Sequence, residues 1–128
     1  MTAPRDHDHQ VETEGLGVQK LHADLAACRR ALGPDHPDSL RLSDALAHAL
    51  EQAERLAEAV VGFEVTLGAR RRVLGDDHPD TLRSADDLVR CYASVGRDAE
   101  AEALSRSTLG VRSRRPLADE DARTDDRT

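Results

Sequence analysis

From Leu42 the apolar residues Leu42, Leu46, Leu50 and Ala53 fall three or four positions apart with polar side chains between them, the spacing of one face of a helix. Glu54-Arg55 interrupts the series. It resumes at Leu56 and runs through Ala59, Phe63, Leu67 and Leu74, again at helical intervals. Upstream, Val18, Leu21, Leu25, Cys28 and Leu32 share a face in the same way. The pattern predicts helices near 16–32, 38–53, 56–74, 80–95 and 98–112, joined by short connections.

The connections repeat. The stretch from Arg29 to Arg41, containing Leu32-Gly33 and His36-Pro37-Asp38, recurs from Arg71 to Arg83 with Leu74-Gly75 and His78-Pro79-Asp80, an offset of 42 residues. At that offset Asp44 meets Asp86, Leu46 meets Leu88, Ala57-Glu58-Ala59 meets Ala99-Glu100-Ala101, and Thr66-Leu67-Gly68 meets Thr108-Leu109-Gly110. Gly33 and Gly75 suit a helix end, and the prolines that follow suit the first turn of the next helix. His36 and His78, each before a proline, are biased out of the α region, while Asp38 and Asp80 place negative charge where the helix dipole favours it. Each period is therefore a helical hairpin, and the helix near 16–32 matches the second half of a hairpin with no first half.

The expected architecture is an all-α fold: a right-handed α-solenoid of two helical hairpins preceded by one extra helix, over residues 16–113. Residues 1–15 and 114–128 are charged and almost free of large apolar side chains, so disordered tails are expected there. Within the last hairpin, Asp98 and Ser105 stand where the first has Leu56 and Phe63. At about 1.5–3 kcal/mol for each large side chain not buried, this end of the stack should be the weaker one. The paired glycines Gly68 and Gly110 suggest close helix approach.

Composition narrows the function. Aromatic residues are 2% of the chain, so the core must come from Leu, Val and Ala. The net charge of −7 and the lack of a dominant basic cluster argue against a nucleic-acid partner. Arg70–Arg72 and Arg112–Arg115 fall late in predicted helices and read as complements of the helix dipole. No apolar run is long enough for a membrane span, and with no secretory signal the expected location is cytoplasmic. Cys28 and Cys91 are too few for a disulfide framework and are expected as buried reduced thiols.

The Leu-Gly-x-x-His-Pro-Asp connection, the 42-residue period and the internal alanines together resemble the tetratricopeptide repeat family, in its kinesin-light-chain-like variety, over roughly residues 16–112. That resemblance implies a concave groove lined by the first helix of each hairpin, which holds a protein or peptide segment. Carried over by position, the groove residues are Arg41, Asp44, Ala45, His48, Glu51 and Gln52 in one repeat and Arg83, Asp86, Asp87, Arg90, Ala93 and Ser94 in the next. Their spacing also makes them the polar face opposite Leu46 and Leu50, or Leu88 and Tyr92. Where members of the family often carry a pair of asparagines, this chain has Asp44-Ala45 and Asp86-Asp87. Carboxylates accept hydrogen bonds without donating them, so a basic guest is expected.

Asp-His-Pro-Asp, present twice, has the residue types of a metal or acid–base site, but its place on a helix–helix connection explains it more simply. Asp6-His7-Asp8-His9 reads as a weak, adventitious metal binder at most. With no phosphate loop, dinucleotide fingerprint, nucleophile elbow or zinc-helix signature, no enzyme activity, cofactor, catalytic residue or metal ligand is expected. The expected role is protein binding; a homo-oligomeric structural protein and an accessory subunit of a neighbouring enzyme or regulator stand as alternatives.

Overall fold

The computed structural model describes the backbone of residues 2–114 and the side chains of 17–114. Five helices follow one another: α1 (Thr2–Leu32), α2 (Pro37–Gln52), α3 (Leu56–Leu74), α4 (Pro79–Ser94) and α5 (Asp98–Arg114). Each packs on its predecessor and its successor, and no strand is present among the described residues. The chain is thus an all-α helical repeat.

The two long connections are built alike. Gly33 and Gly75 end α1 and α3 at φ 96° and 97°, a backbone region open to glycine. At Gly75, ψ is 159°, so the helix stops in the mirror-extended region rather than in a left-handed helical cap. Three residues later His36 and His78 turn extended, with ψ of 142° and 139°, and become the N-caps of α2 and α4. Each uses its ring: Nδ1 of His36 accepts the Asp38 backbone N–H at 3.0 Å, and Nδ1 of His78 accepts that of Asp80 at 3.0 Å. These histidines do the work usually done by Ser, Thr or Asp. Pro37 and Pro79 follow at the first helical position, where a missing N–H is no loss.

The short connections inside the hairpins also correspond. Glu54 has φ 62° and Gly96 has φ 81°, one period apart. Only the second repeat gives this position to the residue that tolerates it without steric cost.

Helical backbone extends upstream of the start expected near 16, to Thr2. Pro4 falls in the first turn, where it costs no hydrogen bond. The first side chain seen in the core is Val18, followed by Leu25. Residues 115–128, expected as a tail, lie outside the described residues.

Phe63 is fully buried at the centre, with Val60, Leu67, Leu46, Leu50, Leu88 and Cys91 around it. Cys28 is half-buried rather than buried, and both thiols are free. α3 buries seven side chains; α5 buries only Ala101 and Thr108 and leaves Leu109 57% exposed. The last hairpin is the thin end, as Asp98 and Ser105 imply. The expectation for the paired glycines is corrected: a Cβ at Gly68 would meet nothing within 4 Å, and one at Gly110 would meet only the far end of the Arg114 side chain at 3.7 Å. Close approach occurs at Gly62 instead, where a Cβ would lie 3.1 Å from the Ala47 Cβ of α2.

Candidate protein-binding face

α2 and α4 are matching helices of successive hairpins, and their polar faces meet through ion pairs. Arg90 of α4 binds Glu51 of α2 bidentately, Nε to Oε2 at 3.0 Å and Nη2 to Oε1 at 2.9 Å, and also donates Nη1 to Asp87 Oδ1 at 3.0 Å. The hydrogen bond to Glu51, joined by that to Asp87, raises the Arg90 pKa further above its ordinary value. From the other side, His48 Nε2 of α2 lies 3.2 Å from Asp87 Oδ2 and 3.7 Å from Asp44 Oδ1. His48 Nδ1 lies 3.8 Å from Glu51 Oε1, and its ring stands edge-on to Phe63 with centroids 5.0 Å apart at 81°.

The structure therefore brings Asp44, His48, Glu51, Asp87 and Arg90 together, five of the twelve groove residues expected from the sequence. Asp87 is only 8% exposed, held beneath His48 and Arg90. The others take separate places. Arg41 and Arg83 are exposed and pair back to the first-turn aspartates of their own helices, Asp38 and Asp80. Gln52 is exposed at the end of α2. Asp86 turns toward α5, where Arg112 donates Nη2 to its Oδ2 at 2.7 Å and Nη1 to its Oδ1 at 3.2 Å. That hydrogen bond raises the Arg112 pKa.

Two arginines expected from the sequence to be dipole complements, Arg70 and Arg112, make specific side-chain contacts instead. Arg70 is 5% exposed and reaches across to α4, donating Nη1 to Ser84 Oγ at 2.6 Å and, at 3.5 Å, to the Asp80 carbonyl. It also stands 4.0 Å from Asp44 Oδ1. One period on, Arg112 faces Asp86 in the same relation. The repeat offset held the signal: Arg70 and Arg112 match just as Asp44 and Asp86 do. A further feature without a sequence signature is an apolar recess of about 490 Å³ among α1, α2 and α3, walled by Leu25, Leu50, Val61 and Val65.

Five helices in tandem hairpins, with a polar face assembled from the first helix of each, define a helical repeat protein of the kind that presents a surface to other proteins. The model of the tetratricopeptide repeat matches residues 21–38 and 41–80. Among solved structures, the chain is similar to the nearly identical repeats of a candidate kinesin light chain from Podosopora anserina. A single-substitution variant of that protein shares 26% identity over 84% of this chain with a TM-score of 0.72. A second structure of the same repeats shares the fold at 24% identity over 89% of this chain, with a TM-score of 0.67. This chain spans 50% and 58% of the length of those two. No curated protein matches. Residues 21–38 and 41–80 are thus similar to tetratricopeptide repeats, and the stack of hairpins is similar to the kinesin-light-chain-like kind.

Proposed function

We propose that the chain works by binding a protein segment along the face shared by α2 and α4, and that the guest carries Arg or Lys. The observation that carries this reading is the set of carboxylates there: Asp44, Glu51 and Asp87 lie on one connected patch with Arg90 as its exposed cation. Arg90 is half exposed, and an ion pair of that exposure contributes only about 0–1 kcal/mol, so a guest guanidinium can take its place at Glu51 at little cost. The net charge of −7 steers such a guest toward the chain. His36 and His78, the residues with the most catalytic appearance in the sequence, spend their ring acceptors on helix caps, which favours binding over catalysis.

Fluorescence anisotropy with a panel of Arg-rich, neutral and Glu-rich peptides tests the reading on the metal-free chain. Binding of the Arg-rich set alone, weakened by salt and by Glu51→Gln, is expected. Equal binding of basic and acidic peptides, or of wild type and Glu51→Gln, removes this face from consideration.

One observation favours a second reading, end-on self-assembly. Leu109 stands one period after Leu67, which is buried in the core between α3 and its neighbours, and Arg112 stands one period after Arg70, which reaches the next helix. α5 thus repeats a surface that another helix covers in the first repeat. A monomeric mass by light scattering at high concentration would discard this reading.

A further inference from the structure

Asp44 and His48 are four residues apart on α2, so their side chains leave the same face one turn apart, and Asp87 reaches toward them from α4. Asp44 Oδ1, His48 Nε2 and Asp87 Oδ2 lie 3.7 Å and 3.2 Å apart at the histidine, and the ligand atoms of the three residues are all within 4.8 Å of one another. The centre of such a triangle is no more than about 2.4 Å from any corner, a few tenths of an ångström beyond the ~2.0–2.2 Å at which Zn²⁺ holds imidazole nitrogen and carboxylate oxygen. We propose that Asp44, His48 and Asp87 form a binding site for a divalent transition cation, with Zn²⁺ the best fit, that ties α2 to α4.

Three features of the surroundings support it. Asp44 Oδ1 is buried and accepts no hydrogen bond. An unsatisfied buried carboxylate oxygen is costly, and the nearby Arg70 spends its Nη1 donor on Ser84 instead of on Asp44. His48 Nε2 faces two carboxylates but can offer at most one proton, whereas a cation between them satisfies both oxygens at once. The outer partners are also in place. The His48 ring packs nearly perpendicular to that of Phe63, its Nδ1 side faces Glu51, and the second oxygen of Asp87 is held by Arg90, the arrangement that orients metal ligands from behind. His48 is 38% exposed, so a cation has a path in from solvent.

The site goes beyond the peptide-binding reading and is tested separately from it. ZnCl2 is titrated by calorimetry into the full chain with its thiols reduced, and helicity is followed by circular dichroism. One tight equivalent is expected in wild type, with affinity at least about 100-fold weaker in Asp44→Asn and in His48→Gln at unchanged helicity. Asp44→Asn is isosteric and loses no hydrogen bond at Oδ1, so it keeps the test open should His48→Gln fail to fold. The double variant His7→Ala/His9→Ala is expected to retain the tight step, which separates it from the Asp-His run near the N-terminus. Co²⁺ in place of Zn²⁺ should give visible bands without the thiolate charge transfer that Cys28 or Cys91 would add. Absence of tight binding in wild type, or equal binding by Asp44→Asn, overturns the proposal and leaves a polar contact between His48 and Asp87 only.

Discussion

Gly62 of α3 faces Ala47 of α2 so closely that a Cβ on the glycine would sit 3.1 Å from the Ala47 Cβ and 3.5 Å from its Cα. The two helices meet backbone to backbone at this point, and Ala47 is fully buried. One period later the same position is Leu104, partly buried against the core, so the second hairpin is spaced by a side chain where the first is not. Gly62→Leu should therefore separate α2 from α3 and cost about 1–3 kcal/mol, read as a lower urea midpoint. An unchanged midpoint would show that the helices can part freely.

Gly68 lies in the same helix with open space around its Cα. Gly68→Ala should stabilise the chain by up to about 1 kcal/mol, because alanine gains helix propensity and meets no neighbour. Opposite signs for the two substitutions in one thermal-melting series would distinguish contact from propensity.

Glu54 carries a positive φ of 62° where its counterpart is Gly96. Glu54→Gly should raise stability by about 1 kcal/mol through relief of that conformation, and Gly96→Ala should lower it by a similar amount. If both changes destabilise, backbone strain does not govern this bend.

The ring caps make a further prediction. His36→Ala and His78→Ala each remove the acceptor for the N–H of Asp38 or Asp80, at a cost of about 1 kcal/mol. Asn at either site can restore an acceptor and should recover most of the loss. Unchanged stability of the alanine variants would mean that the proline and aspartate suffice to start these helices.

Tyr92 is the chain's only tyrosine, so phenolate absorbance reports it alone. Burial, reinforced by its O–H donating to Glu64 Oε2 at 2.6 Å, pushes its pKa up to about 12. The folded chain holds this proton more tightly than the unfolded one, whose phenol titrates near 10. The stabilisation is complete below pH about 10 and fades as pH rises toward 12. Tyr92→Phe should flatten the stability profile across that window, and a phenol titrating at its ordinary value in the folded chain would contradict the burial.

The repeat, the hairpins and every bend were legible in the amino-acid sequence. Helix ends are local events: Gly33 and Gly75 stop a helix, and a proline two residues before Ser39 or Thr81 starts the next, whatever lies beside them. The thin last hairpin was legible too, since Asp98 and Ser105 replace Leu56 and Phe63 within a fixed period. The role of each polar side chain was not. Arg70 and Arg71 are neighbours in an arginine run, yet one is buried against Ser84 and the other is exposed. Asp86 and Asp87 are equally adjacent, yet one turns to α5 and the other lies beneath His48 and Arg90. Successive residues on a helix point about 100° apart, so their environments depend on which helix stands on each side. Only the stacked structure settles that, and with it the close helix approach that favours glycine at 62 and not at 68.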